Sequence, residues 1–460
     1  MNRVWLKGGM LEPVQLAFRR SLYGREQAAD PISGLRRYGP YEPVDVKILH
    51  IIPREWREFL PDELISVLEG QLDRILFSFL RMVSKRVKFE RIYVNSVKDV
   101  IFGSKADQKK VIEDLLSVIY PRRDSVVLIP LLKSKLGEFR CQKIYAKLKA
   151  IGLKEEFVTQ MYTDEKTLNS VKSLVGWSSS GSRGFGDAIL YNLALNVMAK
   201  AGGKPWALYN ELDYNVVIGL SWSVKRTIEN ISTGPTTKYY GVVHTFDNVG
   251  TWETFDAFVC ETREDTLARA LSEAISEIME QRRYRGGRIL IMTREQIKRR
   301  LISELSDICS QHSFRLDIAM VGDAKSVRLY NTADPMYLAP RGLYFIASSN
   351  RAFLINTGRY KGGKYLGIGV PHSVSVKLIY TSDQERYEAL RRVLYAVYAL
   401  TLMNWRSLWG MLRLPTPIHY SKLVARFFAL LSSEDIQASF VKVRNYIYRS
   451  EKLRDRLWFL

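Results

Sequence analysis

Apolar and polar positions follow one another in two regimes along this chain, and the change falls near residue 205. In the first regime, short apolar runs are each followed by helical spacing. The segments "VDVKILHII" (44–52), "FERIYV" (89–94) and "DSVVLIPLL" (124–132) predict strands. Residues 61–83, "KKVIEDLLSVIY" (109–120), "QKIYAKLKAIG" (142–152) and "DAILYNLALNVMAKAGG" (187–203) carry apolar residues at steps of three and four and predict helices. Strands alternating with helices imply an α/β fold with a parallel, doubly wound sheet. The first forty residues have little periodicity, and the Gly- and Pro-rich "DPISGLRRYGPYEP" that closes them predicts an irregular lead-in. The stretch "GWSSSGSRGFGD" (176–187) reads as a loop, and its Gly-x-Gly pair follows no strand, which argues against a dinucleotide fingerprint.

Beyond residue 205 the order changes. Three β-rich segments come in succession, "DYNVVIGLSWSV", "KYYGVVHTF" and "ETFDAFVCE". A long helix (263–283), a strand "GRILIMT" (287–293), a helix (295–309) and a strand "RLDIAMV" (315–321) follow. Strands are predicted again in "LYFIASSNRAFLINTG" and "SVSVKLIY", and the rest is mostly helical. Three strands and then alternating helix and strand is the order of an RNase H-like fold. The sequence thus divides into a lead-in (1–40), a parallel α/β domain (41–205) and an RNase H-like domain (206–460).

Charge narrows the partners. Sixty-nine Lys and Arg against 48 Asp and Glu leave a net +21, and an excess of that size on a folded chain points to a polyanion, nucleic acid or an anionic membrane face. No signal peptide is visible at the N-terminus, and "VLYAVYALTLMNW" is too short to cross a bilayer. Cys141, Cys260 and Cys309 are far apart and lack metal-site spacing, so buried thiols in a reducing cytoplasm are expected. The five scattered histidines form no zinc or catalytic cluster.

One oily helix carries Asn192, Asn196 and Lys200 at steps of four, a single stripe along its side. On spacing alone it is either a solvent face or a polar line turned inward. Tyr145 and Lys149, also four apart, lie on the helix before it, and Gln160 follows after a short turn. Tyr can stack on a base and donate its hydroxyl to phosphate, while Lys adds charge and donors. In this order, with Lys200 before Gly202-Gly203, the residues resemble the MID domain of Argonaute proteins, which grips the 5′-phosphate of a guide strand. The interval from Gln160 to Lys200 is longer than in the family pattern. The resemblance implies a phosphate pocket formed by Tyr145, Lys149, Gln160, Asn196 and Lys200. It also implies a structural Mg²⁺ bridging that phosphate to Asn196 and the terminal carboxylate of Leu460, which the apolar ending "DRLWFL" would draw inward.

The second half resembles a PIWI domain through "VVIGLSWS", "GGRILIMTR", "FLINTGRY", "LTLMNWRS" and "LPTPIHYSKLVARF", and "GLRRYGPY" extends the likeness toward the start. Slicing members cut by two-metal hydrolysis and need clustered carboxylates. Where the family places them, this chain has Ser221, Lys422 and, near the middle position, Arg294 and Glu295; Asp213 is a poor replacement. A hydroxyl does not neutralise Mg²⁺ and an ammonium repels it, so no catalytic residue or catalytic metal is expected. Its 460 residues leave no room for N-terminal and PAZ domains. The resemblance therefore implies a short prokaryotic Argonaute of archaeal type that binds a guide, by preference RNA, and a complementary target, by preference DNA. It further implies a separately encoded PAZ-analogue companion and an effector that can be membrane-associated, in antiviral defence by abortive infection. Lys172, Arg183, Lys204, Lys225 and Arg226 are candidates for a nucleic-acid channel. A displaced-carboxylate nuclease and a guide-independent basic scaffold are the alternatives.

Overall fold

The computed structural model describes residues 7–21, 24–80, 86–174, 183–228, 235–260, 275, 286–324, 326–332, 338–357, 371, 373–407, 412–431, 450, 453 and 456–460. It is a mixed α/β protein in two compact units. One comprises 16–207, 405–409 and 430–460, and the other 1–15, 208–404 and 410–429.

The opening segment is more ordered than its Gly and Pro content suggests. It forms β1 (Lys7–Met10), a hairpin of β2 (Leu16–Ser21) and β3 (Gly24–Ala28), and α1 (Pro31–Tyr38). The Asp30 carboxylate accepts from Ser33 N at 2.9 Å, Pro31 occupies the first turn, and Gly39, at φ +81°, ends the helix. Those are the start and stop signals of a helix, compressed into ten residues.

Next come β4 (Val46–Pro53), α2 (Asp62–Leu80), β5 (Val87–Val94), α3 (Asp99–Phe102), α4 (Lys105–Ile119), β6 (Val126–Leu131), α5 (Lys133–Leu136), α6 (Glu138–Lys154), β7 (Val158–Thr163), α7 (Asn169–Leu174) and α8 (Arg183–Lys200). The strands pair in the order β5-β4-β6-β7, all parallel. Every residue of β6 is buried, as expected of a strand covered on both faces. His50 on β4 is fully buried, its ring nitrogens hydrogen-bonded to Glu69 (2.7 Å) and the Tyr162 hydroxyl (2.9 Å). Strand β7 holds no more than six residues and carries no alternation, so periodicity does not reveal it. Helix α8 begins at Arg183, inside the stretch whose glycines predict a loop.

The other unit is built on a nine-stranded sheet. After the two-residue β8 (Ala207–Leu208) come β9 (Val216–Ile228), β10 (Pro235–Asp247), β11 (Trp252–Cys260), β12 (Gly287–Thr293), α9 (Arg299–Gln311), β13 (Phe314–Asp323), β14 (Leu343–Ser348), β15 (Arg351–Ile355), β16 (Ser373–Thr381), α10 (Arg386–Leu400) and α11 (Thr416–Leu430). The sheet order is β1-β14-β15-β16-β13-β12-β9-β10-β11. Strands β9 to β11 form an antiparallel meander, while β12 runs parallel to both β9 and β13. Helix α9 lays Leu301, Leu305 and Cys309, one residue per turn, on the core of β9, β12 and β13. It starts four residues later than periodicity predicts, because the Thr293 hydroxyl accepts from Glu295 N at 3.1 Å and holds a turn there. The predicted helix 263–283 lies outside the described residues, Ile275 excepted.

One glycine fixes the approach of α11 to the sheet. A Cβ on Gly219 would lie 2.2 Å from the Pro417 carbonyl carbon, and the Ser421 hydroxyl donates to Gly219 O at 2.7 Å. Gly219→Ala is therefore expected to lower stability by about 1–3 kcal/mol, read as a lower urea midpoint at unchanged m-value.

Candidate functional site

The first constellation belongs to the unit with the parallel sheet. On α6, Tyr145 and Lys149 are one turn apart, while Ile144 and Leu148 bury the adjoining face. The chain then turns sharply. Phe157 N donates to Gly152 O at 2.8 Å, and Glu156 adopts φ +59°. That turn returns β7 beside α6, so Thr159 lies under a lysine ten residues earlier. Lys149 Nζ donates to Thr159 O at 3.0 Å and to Trp458 O, and sits 5.6 Å from the centre of the Tyr145 ring.

Helix α8 supplies the second ammonium. Lys200 is in its last turn, where Gly202, at φ +102°, ends the helix with its N–H on Ala199 O. Lys200 Nζ donates to the same Thr159 O at 2.9 Å and to Gln160 Oε1 at 2.6 Å. Lys200 is 0% exposed and Lys149 2%, so both ammoniums have left water. Burial lowers both pKa values. For Lys200 the Lys149 charge comes next and then Arg406; for Lys149, a Lys200 contact opposes the shift and Arg406 adds to it. Among the described residues, every charged side chain acting on either lysine is itself a cation. Asn196, one turn before Lys200, has a buried Oδ1 with no hydrogen-bond partner among the described residues. Leu460 is buried at 4% exposure.

Five of the sequence-derived positions are thus placed. Lys149 and Lys200 converge on the Thr159 carbonyl, and Gln160 Oε1 accepts from Lys200; Tyr145 adjoins Lys149, and Asn196 lies on the Lys200 face of α8. Asn192 is half-buried, whereas Lys200, at the other end of the stripe, is fully buried and its deepest member. The sequence reading omitted Thr159 O and Trp458 O, because any residue can offer a backbone carbonyl. It also omitted Arg406, although "LTLMNWRS" contains it. Of the channel candidates, Lys172 is half-buried on α7, and Lys204 pairs with Glu42 at 2.8 Å. The side chains of Arg183, Lys225 and Arg226 lie outside the described residues.

Converging cations with no side-chain carboxylate acting on them among the described residues are costly, since buried charge normally demands a partner. A phosphate monoester supplies about two negative charges and three acceptor oxygens, which suits two ammoniums and an amide. A hard divalent cation finds an oxygen donor in Asn196 Oδ1, but the surrounding lysines and Arg406 oppose it unless an anion enters too. Among the described residues no three His, Cys, Asp or Glu side chains group as a metal site.

The second constellation lies in the unit with the nine-stranded sheet. Ser221 on β9, Thr293 at the end of β12, the following Arg294 and Glu295, and Lys422 on α11 line an open cavity of about 300 Å³ with Leu220 and Trp222. The three positions read as degenerate, Ser221, Glu295 and Lys422, therefore share one cleft. Asp323, at the end of β13, stands 3.6 Å from Arg294 and 3.0 Å from Arg413 Nε. Burial pushes the Lys422 ammonium below its ordinary value, helped by Arg294, Arg426 and Arg413 and opposed by Asp323. Asp213 is exposed and precedes β9. One lining carboxylate beside two cations is a poor host for paired divalent ions. Among the described residues no helix is long and apolar enough to cross a membrane. The chain matches no protein-family model and no curated protein.

Proposed function

We propose that this protein is a guide-binding, non-cleaving Argonaute of the short prokaryotic kind. In this reading its parallel-sheet unit is a MID domain that anchors the 5′-phosphate of a nucleic-acid strand. The other unit is an RNase H-like PIWI domain that holds the guide–target duplex intact. The observation that carries the reading is the pair of buried ammoniums, Lys149 and Lys200, meeting at Thr159 O, where among the described residues the charged side chains acting on them are cations. The order Tyr145, Lys149, Gln160, Lys200, Gly-Gly and the net charge of +21 support it. Mg²⁺ would be held by Asn196 and the terminal carboxylate of Leu460, where it would neutralise part of the phosphate charge. Recognition of invader nucleic acid, DNA in preference, by an RNA guide would then be passed to a companion and an effector protein in antiviral defence.

The test compares 5′-phosphorylated and 5′-hydroxyl strands of one sequence. The phosphorylated strand should bind at least ten-fold more tightly, and Lys149→Ala should erase the difference. Equal affinities, insensitive to that substitution, would leave a guide-independent basic scaffold. Specific cutting of a labelled target in Mg²⁺ or Mn²⁺ would replace the non-cleaving reading with a nuclease.

A further inference from the structure

We propose that the cleft between Ser221 and Lys422 is a seat for one phosphodiester of bound nucleic acid, with the Lys422 ammonium taking the phosphate oxygens that a divalent ion takes in a nuclease. The proposal deepens the preceding reading and rests on it for the presence of nucleic acid.

Four features of the cleft lead to it. Lys422 makes no hydrogen bond or ion pair among the described residues, yet it lines the cavity from a helix held against β9 by the Ser421–Gly219 contact. Its surroundings are positive on balance: Arg294, Arg413 and Arg426 all act on it, against the lining carboxylate of Glu295 and an Asp323 that is shared between Arg294 and Arg413. The cavity of about 300 Å³ is roomy enough for a phosphate and part of its sugar. Its walls offer matching chemistry, since the Trp222 ring gives a sugar or base an apolar surface and the Ser221 and Thr293 hydroxyls can donate to phosphate oxygens. A partly desolvated, unpaired ammonium gains more from an anion than one in open water does.

Such a site reads charge, not sequence. Base pairing selects the target, and a backbone contact here fixes the register of the duplex. A phosphate could come from the strand or from free inorganic phosphate, and the experiment separates the two.

The full-length protein is loaded with a 5′-phosphorylated guide in buffer containing Mg²⁺ and offered complementary targets. Each target carries one neutral methylphosphonate, moved stepwise along the strand. Wild type should show one or two adjacent positions at which neutralisation weakens capture about ten-fold. Lys422→Gln should weaken capture of the unmodified target to a similar extent, lower the salt slope by about one, and flatten the positional profile. Lys422→Arg should restore the profile, which separates loss of charge from damage to the fold. A flat wild-type profile, or a Lys422→Gln profile matching wild type, overturns the proposal. Displacement by millimolar inorganic phosphate with a flat profile overturns the nucleic-acid source. A position-dependent profile in a protein indifferent to the guide's 5′-phosphate sinks the anchoring reading and leaves this one standing.

Discussion

Lys200→Met is expected to give a protein as stable as wild type near neutral pH, or about 1–2 kcal/mol more stable, that has lost its preference for a 5′-phosphate. The two halves of this result come from one cause. Lys200 is fully buried, close to the equally buried Lys149, and among the described residues no side-chain carboxylate acts on it. In the free protein its charge is a burden that thioether packing removes. Some of the gain is offset, because Gln160 Oε1 loses its donor. Thr159 O does not, since Lys149 still reaches it at 3.0 Å. With a phosphate present the balance reverses. Removing one ammonium from a buried dianion costs about 2–4 kcal/mol, or roughly thirty- to a thousand-fold in affinity. Urea midpoints and competition between phosphorylated and hydroxyl strands measure the two halves separately. A large loss of stability with the preference intact would make Lys200 a structural cross-link instead of an anion ligand.

The same physics explains what could be read in advance. Helices α2, α4 and α6 and strands β4, β6 and β12 announce themselves, because their periods repeat over enough residues to outweigh local noise. Helix α1 is short, and its evidence is the cap, Asp30 with Pro31 and Gly39, in a segment where Gly and Pro also predict turns. The start of α8 fails for the opposite reason: Gly184 and Gly186 argue against helix, and the packed helix after them prevails.

At the candidate site, side chains with a fixed helical spacing were legible and backbone atoms were not. Tyr145 with Lys149, and Asn196 with Lys200, are pairs one turn apart. That Thr159 O receives both ammoniums depends on the turn through Glu156 and on how α6 and α8 lie against β7, neither of which the spacing encodes. In the cleft, Ser221, Glu295 and Lys422 come from three distant segments, and the MID–PIWI resemblance named them. The ion pairs of Asp323 with Arg294 and Arg413 had no local signal, since nothing in the sequence near Asp323 marks it as the partner of either arginine.

Affinity for a 5′-phosphorylated strand is expected to fall as pH rises from neutrality toward 9, whereas stability of the free protein rises over the same interval. Burial lowers Lys149 to about 7 and places Lys200 well below the ordinary lysine value. In the unfolded chain both titrate near 10.4. Between these limits the unfolded chain holds more protons than the folded one, so folding releases protons and stability climbs with pH. This contribution is complete above the unfolded value and is lost as pH falls toward the folded one. A phosphate dianion favours the charged ammoniums, so its binding takes protons up. Each proton taken up lowers affinity by as much as ten-fold per pH unit above the folded value. Below about pH 6 the phosphate itself loses charge, which places the best binding near neutrality. A 5′-hydroxyl strand should show little of this dependence, and Lys200→Met should reduce it. Calorimetry in buffers of different ionisation enthalpy reads the proton uptake directly. A phosphorylated strand bound equally well at pH 7 and pH 9, with no proton exchanged, would show that its phosphate does not enter the lysine pair.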